Sequence, residues 1–184
     1  YEYIDSEDEL SKVFVNERSK FQAVANDSKV QVTFDKEKVD SYRLIGYENR
    51  VMANEDFDDD TKDAGEIGAG QTITALYEII PVDGFNGEGP FAVFDFRYKK
   101  MLGAESIPLS LEITGSDALD AMPTELRFAA GVAAYGMVLR ASKYKGTATF
   151  DMAYQLVGER LSFDKYGYRA QLQELIMMAK DTQQ

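Results

Sequence analysis

Residues 107–114 read Ile-Pro-Leu-Ser-Leu-Glu-Ile-Thr, an alternation of apolar and polar side chains. Leu109, Leu111 and Ile113 point to one face of an extended chain and the residues between them to the other, which is typical of a half-buried β-strand. After Gly115 the hydrophobic period lengthens to that of a helix. This switch predicts a β-rich segment before the glycine and a helical segment after it.

The β-rich segment is expected to hold five or six strands. Val30, Val32 and Phe34 alternate with polar residues in the first of them. Further strands are predicted at residues 42–47, 71–80, 91–98 and 107–114. Because their outer faces are polar, we expect an antiparallel β-sandwich-like arrangement or a curled sheet.

Three helices are predicted in the helical segment. The first begins near Pro123, a residue that suits the first helical position. The other two are expected at residues 149–161 and 169–180. The apolar stripe of the first helix is predicted at Leu126, Ala130, Ala133 and Met137. Strands first and helices last predict an α+β fold.

A further amphipathic helix is predicted at the N-terminus, from Ser6 to about Ala25. Ser6 and Glu9 have the spacing of a capping box. The apolar residues that recur at helical spacing are Leu10, Val13, Phe14, Phe21 and Val24. Residues 1–4 are expected to end a preceding strand.

The composition excludes several classes of function. The 184 residues contain no His and no Cys, so imidazole general bases, Ser-His-Asp sites, HExxH zinc sites and thiol nucleophiles are all absent. A formal charge of −12 argues against binding to nucleic acid or to anionic lipid. No catalytic residue or cofactor is predicted, and the chain is not expected to be an enzyme.

The acidic loop, residues 54–66, is the most unusual stretch. Clustered carboxylates and carbonyls are the ligands of Ca²⁺, and the candidate ligands are Asp56, Asp58, Asp60 and Asp63. An EF-hand that started at Asp56 would have Thr61 in place of Gly and Ile67 in place of the bidentate Glu. A solvated loop is therefore favoured, held open by mutual repulsion and binding no ion tightly.

Two further segments have competing interpretations. The glycines of residues 65–70 resemble a phosphate loop, but the β-forming residues after them favour a turn or bulge that leads into a strand. The small residues of 129–136 would suit a membrane dimer, yet charged residues flank them, which favours a helix packed closely against a sheet. The longest uncharged run, residues 128–139, is shorter than the roughly 20 residues that span a bilayer.

Several blocks of the sequence resemble a known bacterial group. They are residues 41–50 (SYRLIGYENR), 59–70 (DDTKDAGEIGAG), 74–78 (TALYE), 128–140 (FAAGVAAYGMVLR) and 166–169 (YGYR). The group comprises cell-envelope proteins in which a von Willebrand factor type A domain precedes a C-terminal domain of unknown function. The resemblance covers about residues 29–180, with Gln71 standing where many relatives would have His.

The resemblance implies that residues 1–27 are the last strand and helix of an A domain. Residues 28–184 would then form the accessory domain, β-rich over 28–115 and helical over 116–184. It implies a cell-envelope location, with any targeting signal upstream, and no metal ligands carry over because the Asp-x-Ser-x-Ser motif is absent.

The expected function is a non-catalytic binding or scaffolding module that makes protein–protein or adhesion-type contacts. Its expected partners are an unidentified protein and the A domain itself, and a homodimer through helix 6–25 is a further option. The alternative is a calcium-responsive regulatory module that uses the acidic loop. A carboxylate-based hydrolase is the least favoured, since nothing in the spacing singles out a pair of acidic residues.

Overall fold

The computed structural model of the chain describes residues 4–47, 50–117, 122–158 and 164–183. The strands are β1 (Ala23–Phe34), β2 (Val39–Ile45), β3 (Gly65–Gly68), β4 (Leu76–Pro81), β5 (Pro90–Lys99) and β6 (Ile107–Thr114). The α-helices are α1 (Glu7–Ser11), α2 (Thr124–Leu139), α3 (Phe150–Gly158) and α4 (Tyr168–Thr182).

Four of the strands form one sheet in the order β3-β1-β5-β6, and its three pairings are all antiparallel. Strands β2 and β4 form a separate two-stranded sheet. The fold is therefore mixed α and β with antiparallel sheets, as predicted. The finer prediction of a sandwich is not confirmed.

The register of the large sheet separates apolar from polar side chains. Val30 lies opposite Phe96, which lies opposite Leu109, and the neighbouring row on the same face is Val32, Phe94 and Leu111. Because neighbouring positions along a strand point to opposite faces, the cations Lys29 and Arg97, which face each other, lie on the other side. The sheet thus has one apolar and one polar face.

The predicted N-terminal helix is wrong over its second half. Ser6 caps α1 as expected, its hydroxyl accepting a hydrogen bond from the Glu9 amide at 3.1 Å. The chain then passes through a π turn at Lys12–Asn16 and a 3₁₀ turn at Arg18–Phe21. Val24 lies in β1, which continues through position 27 where the domain boundary was predicted. Extended pairing with distant strands outweighs the local helical spacing.

The chain consists of two compact units. The first contains Tyr1–Tyr42, Tyr47–Ile73 and Ile79–Asp117. The second contains Arg43–Gly46, Thr74–Glu78 and Ala118–Gln184. The prediction of a purely helical C-terminal half is not confirmed, because parts of β2 and β4 belong to the same unit as the last three helices.

The core of the second unit lies among helices α2, α3 and α4. Its buried residues are Ala134, Ala153, Val157 and Ile176. The buried positions of α2 are Gly131, Ala134 and Val138, so the predicted stripe of this helix is displaced by one residue. The predicted end of α3 near Leu161 lies outside the described residues.

Gly131 and Gly136 of α2 form a matched pair for testing this packing. A Cβ on Gly131 would lie 2.9 Å from Val157 Cγ2 and 3.0 Å from the Val157 amide nitrogen, whereas Gly136 has open space. The small residues therefore allow close approach to α3, not to a sheet.

Gly131→Ala is expected to lower the free energy of unfolding by at least about 1 kcal/mol through overpacking. Gly136→Ala is expected to raise it by about 0.5–1 kcal/mol, because alanine is the better helix former. Urea unfolding followed by circular dichroism measures both, and equal effects at the two positions would contradict the packing.

Candidate functional site

The polar face of the large sheet carries a row of cations. Lys29 of β1 lies opposite Arg97 of β5, and Lys99 follows two residues later on the same face. The Lys29 and Lys99 residues are buried, at 4% and 7% exposure. A buried ammonium requires oxygen partners, since burial without them is costly.

The acidic loop supplies those partners. The Lys29 ammonium donates to the backbone carbonyl of Asp56 at 3.0 Å and to that of Asp59. The Arg97 guanidinium donates to the Asp58 carboxylate at 2.5 Å and to the Asp60 carboxylate at 3.0 Å. The loop is therefore bound to the sheet through both its main chain and its carboxylates.

Lys99 joins the acidic loop to β1. Its ammonium donates to the Asp27 carboxylate at 2.8 Å and to the Asp60 carbonyl at 2.9 Å. The hydrogen bond from Lys99 lowers the pKa of Asp27, and the same bond raises the pKa of Lys99. Both groups therefore stay charged over the neutral range, which keeps this link intact.

Side-chain hydroxyls also stabilise the carboxylates of Asp60 and Asp59 in the loop. Ser106 donates to Asp60 at 2.5 Å, and this bond is the main reason that the pKa of Asp60 is lowered. Thr61 donates through its hydroxyl to Asp59 at 2.6 Å and lowers the pKa of Asp59 in the same way. The ionised forms of both residues are thus favoured by neutral donors as well as by cations.

An apolar anchor completes the attachment. Phe57 is 8% exposed, and the Arg97 guanidinium carbon lies 6.0 Å from the centre of its ring. Most residues of the loop are solvent-exposed, as predicted, but mutual repulsion does not hold the loop away from the sheet, because cations of the sheet compensate its charges. The cations of β1 and β5 were missed at the sequence level, although the two-residue spacing of Arg97 and Lys99 places them on one face of a strand.

The four candidate calcium ligands are not brought to one point. Asp56 pairs with Lys62 at 3.3 Å, Asp58 and Asp60 pair with Arg97, and Asp63 is exposed. Within residues 4–47, 50–117, 122–158 and 164–183, no group of three or more acidic side chains is placed to hold a metal ion. The carboxylates are arranged around protein cations instead.

The glycine-rich segment forms an edge of the sheet. Residues Gly65–Gly68 are β3, and a turn follows in which the Gly68 amide donates to the Gln71 side-chain oxygen at 2.9 Å. Gly70 has a φ of 76°, a left-handed conformation that favours glycine. The segment is thus a short strand and turn, and the strand predicted from residue 71 begins only at Leu76.

A second candidate surface lies at the N-terminus of the first unit. Val13 is 1% exposed, so its side chain packs into the interior and attaches this segment to the first unit. The side chains of Phe14 and Phe21 are 54% and 59% exposed, and their rings stack with centres 5.8 Å apart. We define the N-terminal patch as these two rings together with three further exposed apolar side chains: Leu10, Val15 and Val24.

A third candidate surface is the outer part of the apolar sheet face. Leu109 and Leu111 of β6 are 54% and 64% exposed, although Phe96 and Phe94 opposite them are only partly exposed. Strand β6 is the last strand of the sheet, so within the described residues its side chains have a neighbouring strand on one side only. In the part of the chain that the structure describes, no helix is long and apolar enough to cross a membrane.

Comparison with known proteins identifies the family. The model of the C-terminal domain of the uncharacterized protein YfbK matches residues 19–90 and 86–182, so the chain belongs to this family. The uncharacterized protein YfbK of Escherichia coli (strain K12) is 34% identical over 201 aligned positions, which cover 97% of this chain. The chain spans about a third of the length of that relative (34%). No solved structure matches the chain significantly.

Proposed function

We propose that the chain is a non-catalytic binding and scaffolding module of a protein that contains a von Willebrand factor type A domain. The observation that carries this proposal is the N-terminal patch. Its aromatic and aliphatic side chains are about half exposed or more, while Val13 between them is buried. The segment is therefore attached to its own unit through Val13 and through the backbone at Lys20 beside Gly68, and it presents the side chains of the patch outward.

The A domain of the same protein is the partner that we propose for this patch. The resemblance implies that residues 1–27 are the last strand and helix of the A domain, so the rest of that domain would directly precede the patch. An apolar surface of this kind is stabilised by about 1.5–3 kcal/mol for each large side chain that a partner fully buries. A location in the cell envelope belongs to the same proposal and rests on the same resemblance.

The competing occupant of the patch is a second copy of the chain. A two-fold axis would bring the Phe14 and Phe21 rings of both copies together, since such an interface uses the same surface twice. The A domain is preferred because it would be held close to the patch by the chain itself. Linkage raises the effective concentration of a partner to the millimolar range, far above that of a free second copy.

Calcium regulation through the acidic loop receives less support. Lys29, Arg97 and Lys99 already compensate the loop, and a bound Ca²⁺ would have to displace or repel these cations. The binding role is therefore the better proposal for this chain.

Calorimetric titration of the chain with the separately produced A domain tests this role. Binding is expected for the parent chain, and Phe14→Ser with Phe21→Ser is expected to weaken it by about tenfold or more, since aromatic side chains dominate such contacts. The matched control is Met101→Ser with Leu102→Ser, which removes two similarly exposed apolar side chains outside the patch. Equal affinity of both double variants, or no heat of binding with the parent, would overturn the proposal.

A further inference from the structure

Strand β6 has the features of an edge that accepts another strand. It is the terminal strand of the β3-β1-β5-β6 sheet, and along its outer side no strand is paired with it within the described residues. An unpaired edge presents a row of free backbone donors and acceptors, which is the usual template for strand addition.

Natural edge strands are protected by charged residues, by bulges or by short length. Residues 107–114 contain one charged side chain, Glu112, and neither Lys nor Arg. The strand is eight residues long, and its pairing with β5 is regular from Ala92↔Ile113 to Tyr98↔Ile107. Only Pro108, near the start, limits the backbone bonds that the strand can offer. β6 therefore lacks most of the devices that prevent pairing.

The exposure of the leucines of β6 indicates that a neighbouring strand is missing from its outer side. Leu109 and Leu111 are more exposed than the Phe side chains beside them on β5, since among the described residues no strand pairs with β6 on its outer side. An added strand with apolar residues in the matching positions would cover both leucines, since directly opposed side chains on one face lie in contact.

We propose that this position is taken by β6 of a second copy of the chain, in an antiparallel pair whose two-fold axis passes through Ser110. This inference does not depend on the function proposed for the N-terminal patch. In this register Leu109 lies opposite the partner's Leu111, and Ile107 opposite the partner's Ile113. Every apolar side chain of one face thus meets an apolar side chain.

The charge pattern selects a second copy over an arbitrary strand. With the axis at Ser110, Glu112 lies opposite the partner's Pro108, so the one charge of the strand never faces itself. An axis at Leu111 would instead leave Ile107 without an apolar partner, and any axis between two residues would oppose apolar to polar side chains. The chain carries a formal charge of −12, yet this edge contributes a single negative charge to the contact.

The absence of cysteine from the chain provides a direct test of the register. Ser110→Cys would place two thiols opposite each other at the axis, where a disulfide is within reach. Ser41→Cys is the control, because Ser41 is also an exposed serine on a strand but lies outside β6. Under mild oxidation, Ser110→Cys is expected to form a covalent dimer at least about tenfold faster than Ser41→Cys.

Sedimentation velocity tests the pairing without a cross-link. The parent is expected to form dimers as its concentration rises, and Leu111→Asp is expected to weaken the dimer about tenfold or more by opposing a charge to the partner's Leu109. Leu102→Asp is the matched control, since Leu102 is 68% exposed and lies outside β6. Circular dichroism confirms that each variant is folded. The proposal is overturned if the parent stays monomeric, or if the Ser110→Cys dimer forms no faster than the Ser41→Cys dimer. Neither result depends on the N-terminal patch.

Discussion

Gly68→Ala is expected to lower the free energy of unfolding of the first unit by about 2–4 kcal/mol. Gly68 is the last residue of β3, and a Cβ at this position would overlap the backbone carbonyl of Lys20. The neighbouring atoms belong to the main chain, so no change of side-chain rotamer can relieve the overlap. The strand edge and the 3₁₀ turn at Arg18–Phe21 would have to separate.

Gly65→Ala provides the control for this substitution. Gly65 is the first residue of the same strand, and no atom lies within 4 Å of a Cβ added there. The change is expected to be within about 0.5 kcal/mol of the parent. Urea unfolding of the two variants measures the difference, and a Gly68→Ala protein as stable as Gly65→Ala would show that the turn does not rest on β3.

Lys29→Met is the second substitution with a large expected effect. Methionine has a similar length but no donor, so the Asp56 and Asp59 carbonyls would lose the ammonium that joins them to the sheet. The loss of hydrogen bonds from a charged donor is expected to cost about 2–4 kcal/mol. The acidic loop should then detach from the sheet more readily, because it would keep its contacts with Arg97, Lys99 and Ser106 and its buried Phe57 but lose both main-chain bonds to Lys29.

Hydrogen exchange reports this detachment directly. Backbone amides of residues 54–64 are expected to exchange faster in Lys29→Met than in the parent, while those of helices α2 and α4 keep their rates. Lys36→Met is the control, since Lys36 is exposed and lies in the turn after β1. Unchanged exchange of the loop in Lys29→Met would mean that the ammonium does not hold it.

The parts of the fold that local sequence determines were predicted well. Strand β6 has the predicted bounds, and β5 differs by one residue at each end; Phe94, Phe96 and Tyr98 alternate with Asp95, Arg97 and Lys99 through the second half of β5. Helices α2 and α4 also begin within a residue of the predicted positions. In these elements the hydrophobic period and the pattern of burial agree.

The errors arise where distant residues decide the structure. Phe21 and Val24 continue the spacing of Leu10 and Phe14, yet β1 begins at Ala23, which pairs with Gly68. The position of the acidic loop depends in the same way on distant residues, because Lys29 of β1 and Arg97 of β5 bind it. Spacing within one segment carries no information about such partners.

One measurement tests the binding role proposed for the N-terminal patch most directly. Hydrogen exchange is compared between the chain alone and a longer protein in which the chain is joined to the A domain that we propose as its partner. If the A domain covers the patch, the amides of residues 10–24 should exchange more slowly in the longer protein, and Phe14→Ser with Phe21→Ser should reduce that protection. Identical exchange of residues 10–24 in the two proteins would contradict the proposal.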